Sequence, residues 1–181
     1  MIEVEVKAKI DDFKSLKREL KKIGALKIKT EHQKDIYFNS PIKNFVKTDE
    51  ALRIRKISIE NDVHSVITYK GPKIDNASKT REEIEIAIGD PYEVRKLFEN
   101  LGFKKSSQVV KNREIYELNE YLISLDDVEG LSPYMEIETG LKDGNDFQPA
   151  LDGIFETYAK LGIVDGFERR SYLELLEKKI S

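Results

Sequence analysis

Charged and aliphatic side chains alternate from the start of the chain. In Met1-Ile2-Glu3-Val4-Glu5-Val6-Lys7 the two carboxylates and the ammonium share one strand face, and Val4 and Val6 share the other. The same period returns in Arg53-Ile54-Arg55, Glu83-Ile84-Glu85 and Glu136-Ile137-Glu138. Further strands are predicted over residues 34–39, 51–59, 63–70, 81–88, 109–118, 121–127 and 134–139, with Asn61-Asp62 as a turn and residues 71–78 as a loop. Elsewhere the period lengthens to that of a helix. Asp11-Asp12 cap residues 13–23, where Phe13, Leu16, Leu20 and Ile23 fall on one side, and Gly24 follows as a stop. Asp90-Pro91 opens a second helix through Val94, Leu97, Phe98 and Leu101 to Gly102, with proline in the first turn. Residues 147–161 are helical by period, and Ser171 caps a short last helix to residue 178.

The two halves echo each other. Gly24 and Gly102 lie 78 residues apart, Tyr37 and Tyr116 lie 79 apart, and Glu3 and Glu83 lie 80 apart. A near-constant offset predicts an internal duplication, with two sheet halves related by a pseudo-twofold axis. Antiparallel sheets that close on themselves leave an inside lined by alternate residues.

A single amphipathic strand ordinarily turns its charges to water. Here the charges are sorted by sign: Glu3/Glu5, Glu83/Glu85 and Glu136/Glu138 stand against Arg53/Arg55 and Lys111/Arg113, whereas ordinary surfaces mix them. The helices also need an apolar surface, which the outside of a barrel supplies. Acids crowded inward without cations cost several kcal/mol each. The pattern therefore points to a ligand rich in negative charge, held together with divalent cations. Length and composition agree with one domain spanning residues 1–181: 39% of the 181 residues are hydrophobic and 36% charged, enough for a core. Net charge is −3 from 31 basic and 34 acidic residues, so no global field recruits nucleic acid or a membrane. There is no cysteine, no spanning apolar run and no signal-peptide core, and the expected setting is cytoplasmic.

Glu3-Val4-Glu5-Val6-Lys7 resembles the ExExK signature of the CYTH, or triphosphate tunnel metalloenzyme, family. Other matches follow in family order: Asp35-Ile36-Tyr37-Phe38, Ala51-Leu52-Arg53-Ile54-Arg55, Thr68-Tyr69-Lys70-Gly71, Arg81-x-Glu83-x-Glu85, Lys111-x-Arg113, the stretch from Leu125-Asp126 to Gly130-Leu131, and Glu136-Ile137-Glu138. The closing Ser171-Tyr172-Leu173-Glu174-Leu175-Leu176 resembles the tail of the class IV adenylyl cyclase branch. One departure is Ser132-Pro133, where the family has a glycine after Gly130-Leu131. The resemblance implies an α+β fold: a closed eight-stranded antiparallel barrel with helices outside and a tunnel within. It also implies Mg²⁺ or Mn²⁺ on Glu3, Glu5, Asp126, Glu136 and Glu138. Phosphate oxygens would fall to Lys7, Arg53, Arg55, Lys70, Arg81, Lys111 and Arg113, and Lys7, Asp126 and Glu136 would be catalytic. Glu83 and Glu85 would line the tunnel.

Such a site suits phosphoryl or nucleotidyl transfer, which needs positioning and charge neutralisation more than a special nucleophile. Arginine offers a flat fork to phosphate and lysine a point charge. The leading expectation is an adenylate cyclase converting ATP to cyclic AMP and pyrophosphate, as a monomer or homodimer. Alternatives are a triphosphatase acting on inorganic, nucleoside or thiamine triphosphate, a non-catalytic polyphosphate binder, and a surface-charged β-domain for protein contacts. The absence of tryptophan disfavours thiamine triphosphate. His32 and His64 fall outside any metal-ligand spacing, and no GxxxxGK[ST] or GxGxxG exists.

Overall fold

A computed structural model describes residues 1–142 and 144–180. Eight antiparallel strands close in the order β1-β5-β4-β3-β2-β6-β7-β8. They are β1 (Ile2–Lys9), β2 (Leu26–Asn39), β3 (Ala51–Ile59), β4 (Asp62–Lys73), β5 (Arg81–Ile88), β6 (Lys104–Leu118), β7 (Tyr121–Val128) and β8 (Tyr134–Leu141). The helices α1 (Phe13–Lys22), α2 (Pro91–Asn100), α3 (Gln148–Lys160) and α4 (Tyr172–Ile180) lie outside the sheet. Among the described residues no helix is long and apolar enough to cross a membrane.

The repeat is visible in the topology. The unit β1-α1-β2 recurs as β5-α2-β6, and exchanging β1 with β5, β2 with β6, β3 with β7 and β4 with β8 maps the ring of strands onto itself. The two helices end alike. Gly24 and Gly102 have φ of +87° and +90°, a conformation that costs an L side chain about 1 kcal/mol or more. Ala25 N donates to Leu20 O at 3.0 Å, and Phe103 N donates to Phe98 O at 2.9 Å, closing equivalent Schellman turns. Both helices also start alike, on Asp12 accepting from Ser15 N and Asp90 accepting from Tyr92 N, each at 2.8 Å.

The aliphatic partners of the charged positions face outward and form the core. Val4, Val6, Ala8, Met135 and Ile137 are buried under Leu151, Ile154 and Tyr158 of α3 and Leu16 and Leu20 of α1. Tyr158 Oη donates to both Val6 O and Met135 O, at 2.8 and 3.0 Å, clamping α3 across β1 and β8. Phe38, Leu52 and Ile54 pack against Phe98 of α2. Helix α4 instead lies over one end of the barrel, where Tyr172 and Leu175 meet Tyr37, Val109, Val128 and Tyr134.

Two expectations change. Strands β2 and β6 start earlier than residues 34 and 109, because they form one long two-stranded ribbon whose outer part pairs without being buried. Ile84 does point outward from the barrel, yet it stays 47% exposed with Ile86 at 58%, so β5 is not packed under a helix as β1 is.

Candidate functional site

The inward faces enclose a cavity of about 580 Å³ that runs through the barrel. Strands β1 and β8 place the acids: Glu5 stands directly across from Glu138 and Lys7 from Glu136, while Glu3 faces Arg81 of β5. One carboxylate oxygen from each of Glu3, Glu5 and Glu138 lies within 4.8 Å of the other two. Their protons are held unusually tightly. Burial and the neighbouring Glu3 push Glu138 up to about 8. Burial, only partly offset by Lys70, raises Glu3, and burial with Glu136 beside it raises Glu5. Three inward carboxylates, with Lys70 on Glu3 and Lys79 on Glu5 but no ion pair on Glu138 among the described residues, offer oxygen ligands that fit a hard divalent cation.

The other two acids expected as ligands, Asp126 and Glu136, are placed differently. Arg113 Nε donates to Asp126 Oδ1 at 2.6 Å, and its Nη2 also bonds Glu136. Lys111 Nζ lies 3.2 Å from Asp126 Oδ2, and Tyr172 Oη donates to the same oxygen at 2.7 Å. These partners hold both acids below the usual carboxylate range despite complete burial. A second cationic group spans β3 and β4. Arg55 grips Asp35 with two bonds of 2.7 Å, and Arg53 stands 3.5 Å from the same carboxylate. Lys70 pairs with Glu3 and, at 2.7 Å, with Glu83.

Two expected phosphate ligands each spend some of their donors on backbone carbonyls. Arg81 donates to Gly71 O at 3.2 Å and Lys79 O at 3.4 Å. Lys7 donates to Arg170 O, with its ammonium 4.1 Å from the Tyr172 ring centroid. Glu85 lines the cavity and accepts from Thr68 Oγ1 at 3.1 Å.

Residues 1–172 match the CYTH domain family. The chain belongs to that family. Over 176 residues it is 47% identical to a Methanocaldococcus jannaschii protein that carries the name putative adenylate cyclase, covering 97% of this chain and 98% of that one. Among solved structures it resembles the PH1819 protein of Pyrococcus horikoshii, with 41% identity, a TM-score of 0.91, and coverage of 98% and 99% of the two chains. The PH1012 protein of the same organism follows at 32% identity and a TM-score of 0.82, with coverage of 96% and 98%.

Lys79, Gln33 and Glu31 of this CYTH barrel's interior escaped sequence reasoning, and Asp35 stood only in a matching run with no site role. Lys79 lies on the loop before β5, and its ammonium bonds Glu5 and, at 3.1 Å, Glu136. It shares parity with Arg81, Glu83 and Glu85, so the alternation carried the signal, but Asn76-Ala77-Ser78 reads as loop. Asp35, Gln33 and Glu31 likewise extend the inward series of β2, and all three are buried. Mixed in type, they form no repeated sign like the ExE strands. The CYTH interior thus holds a carboxylate trio beside two banks of cations, an arrangement able to bind divalent metal and a polyanion together.

Proposed function

We propose that this protein is a divalent-metal-dependent enzyme acting on a triphosphate held inside the barrel, and that its reaction is the cyclisation of ATP to cyclic AMP and pyrophosphate. The observation that carries the reading is the close approach of Glu3, Glu5 and Glu138 carboxylates within an interior lined by Arg53, Arg55, Lys70, Lys111 and Arg113. The name borne by the 47%-identical relative supports the choice of reaction. In that reaction the ribose 3′-oxygen forms a bond to the α-phosphorus, the bond from that phosphorus to the bridging oxygen breaks, and pyrophosphate leaves. The hydroxyl proton goes to a base. Lys7, drawn down to about 7 by burial and the nearby Lys79, is bonded to Arg170 O at the α4 end and does not line the cavity, so that base is water. Arg53, Arg55, Lys111 and Arg113 orient the phosphates and meet the charge that moves to the leaving group. Mg²⁺ or Mn²⁺ on Glu3, Glu5 and Glu138 would supply further neutralisation of phosphate oxygens. Asp126 and Glu136 serve this reading as supports that fix Arg113 and Lys111.

One observation favours hydrolysis as a second reading. The interior charges named above suit phosphate oxygens and metal, and none of them requires a ribose. Water attacking the terminal phosphorus would then release phosphate. Phosphorus NMR of ATP with Mn²⁺ separates the two: cyclic AMP plus pyrophosphate is expected, and ADP plus phosphate would replace the cyclase by a triphosphatase. Absence of any product from ATP, tripolyphosphate and thiamine triphosphate between neutral and alkaline pH would leave a binding protein.

A further inference from the structure

Along four strands the inward-facing series turns from polar to aliphatic at the same end of the barrel. It reads Arg53, Arg55, Ile57 on β3; Lys70, Thr68, Val66 on β4; Lys111, Arg113, Ile115 on β6; and Asp126, Ser124, Leu122 on β7. These strands flank β2 in the order β4-β3-β2-β6-β7, so Ile57, Val66, Ile115 and Leu122 form one arc of the cavity wall, at the end away from α4. At its centre β2 presents Gln33, directly across from Ile57 and Lys111, and Glu31, directly across from Arg113. Phosphate has no use for an aliphatic wall, whereas the flat faces of an aromatic ring do.

Gln33 adds a polar requirement. It is only 2% exposed, and its Nε2 donates to Glu31. Burial works against the Glu31 charge, but bonds from Lys29 and Gln33 outweigh it and keep that carboxylate ionised. An ionised carboxylate only accepts, so the NH₂ end of Gln33 must face it. Gln33 Oε1 is then an acceptor aimed elsewhere, and it has no partner among the described residues. A buried acceptor left unmet costs about 1–3 kcal/mol, which a ligand donor would recover.

We propose that this end of the cavity is a subsite for a heteroaromatic ring bearing an exocyclic amino group, whose N–H donates to Gln33 Oε1 while the ring lies against the aliphatic arc. The proposal rests on the triphosphate reading and narrows it to aminated nucleoside triphosphates. The phosphates would extend from this ring toward Arg55, Lys111 and Arg113.

Calorimetric titration in EDTA, where turnover does not interfere, tests it with ATP, CTP, ITP, UTP and inorganic tripolyphosphate. The parent is expected to bind ATP about tenfold tighter than ITP, and CTP about tenfold tighter than UTP, since the oxo bases bring an acceptor to an acceptor. Gln33→Leu should bring each pair within about twofold and leave tripolyphosphate affinity unchanged. Leu122→Ser, at the half-exposed rim, should weaken all four nucleotides alike and again spare tripolyphosphate. Equal binding of amino and oxo bases by the parent would overturn the subsite while the triphosphate reading stands. So would a Gln33→Leu protein that keeps the discrimination, or variants that weaken tripolyphosphate as much as ATP. If neither tripolyphosphate nor any nucleotide binds, both readings fall.

Discussion

Glu138 and Asp126 both face the barrel interior, in opposite electrostatic surroundings. Asp126 has Arg113, Lys111 and the Tyr172 hydroxyl around it, which lower its pKa and use its lone pairs. Glu138 has Glu3 and Glu5 within reach, and its pKa climbs to about 8. The first is a satisfied ion pair and the second a carboxyl crowded by others of like charge. Removing a charge from a crowded trio lowers metal affinity but relieves repulsion, whereas removing one partner of a buried pair strands the other. Glu138→Gln is therefore expected to weaken Mn²⁺ binding at least about tenfold while metal-free stability is kept or improved. Asp126→Asn should hold Mn²⁺ affinity within about threefold and lose roughly 3 kcal/mol of unfolding free energy. Electron paramagnetic resonance titration of free Mn²⁺, beside urea unfolding, reads both. Equal loss of Mn²⁺ affinity in the two variants would return Asp126 to the metal site.

At the scale of elements, the alternation of charge with Val or Ile was enough to orient β1, β3, β5 and β8, because a strand has only two faces. The capping aspartates and the glycines at 24 and 102 marked α1 and α2 for equally local reasons. Two kinds of information were not local. The early starts of β2 and β6 depend on each strand pairing with the other, Leu26 with Glu117 and Lys104 with Asn39, far apart in sequence, and their exposed ends carry no hydrophobic period. Which acids meet each other depends on barrel register: the Glu136 pairing with Arg113 and the Glu138 approach to Glu3 are two outcomes for one ExE motif. The loop before β5 shows the same limit. It is anchored by Lys79 N donating to Glu5 O at 2.9 Å and by Arg169 donating to Ser78 O at 3.1 Å, neither of which involves the Lys79 ammonium. Lys79→Met should thus leave the loop in place and remove a cation from Glu5 and Glu136. We expect metal-free stability to fall by about 3 kcal/mol and Mg²⁺ to recover more of it than it adds to the parent. Urea unfolding with and without Mg²⁺ measures this, and identical Mg²⁺ increments in parent and variant would show that Lys79 does not share the cation's acids.

Over the whole molecule these local shifts combine into a pH profile with a definite shape. Asp35, Glu83, Asp126 and Glu136 hold their protons less tightly folded than unfolded, so their stabilisation is present above the ordinary carboxylate range and fades as pH falls through it. Glu3, Glu5 and Glu138 do the reverse. The folded barrel keeps their protons where the unfolded chain has released them, so stability declines as pH rises from the ordinary carboxylate value of 4.5 toward the Glu138 value of about 8. Lys7 and Lys111, drawn down to about 7 and about 8, release protons before the unfolded chain does at 10.5, so above that range stability turns upward again. The metal-free protein should accordingly be most stable near pH ~5 and pass through a minimum near pH ~8. A divalent cation needs the trio deprotonated, and its gain must therefore grow across that same interval. Melting curves from pH ~4 to ~9 in EDTA and in excess Mg²⁺ should lie close together at the acid end and separate progressively toward pH ~8. Parallel curves would mean that the cation binds elsewhere, since only a site whose ligands compete for protons couples the two in this direction.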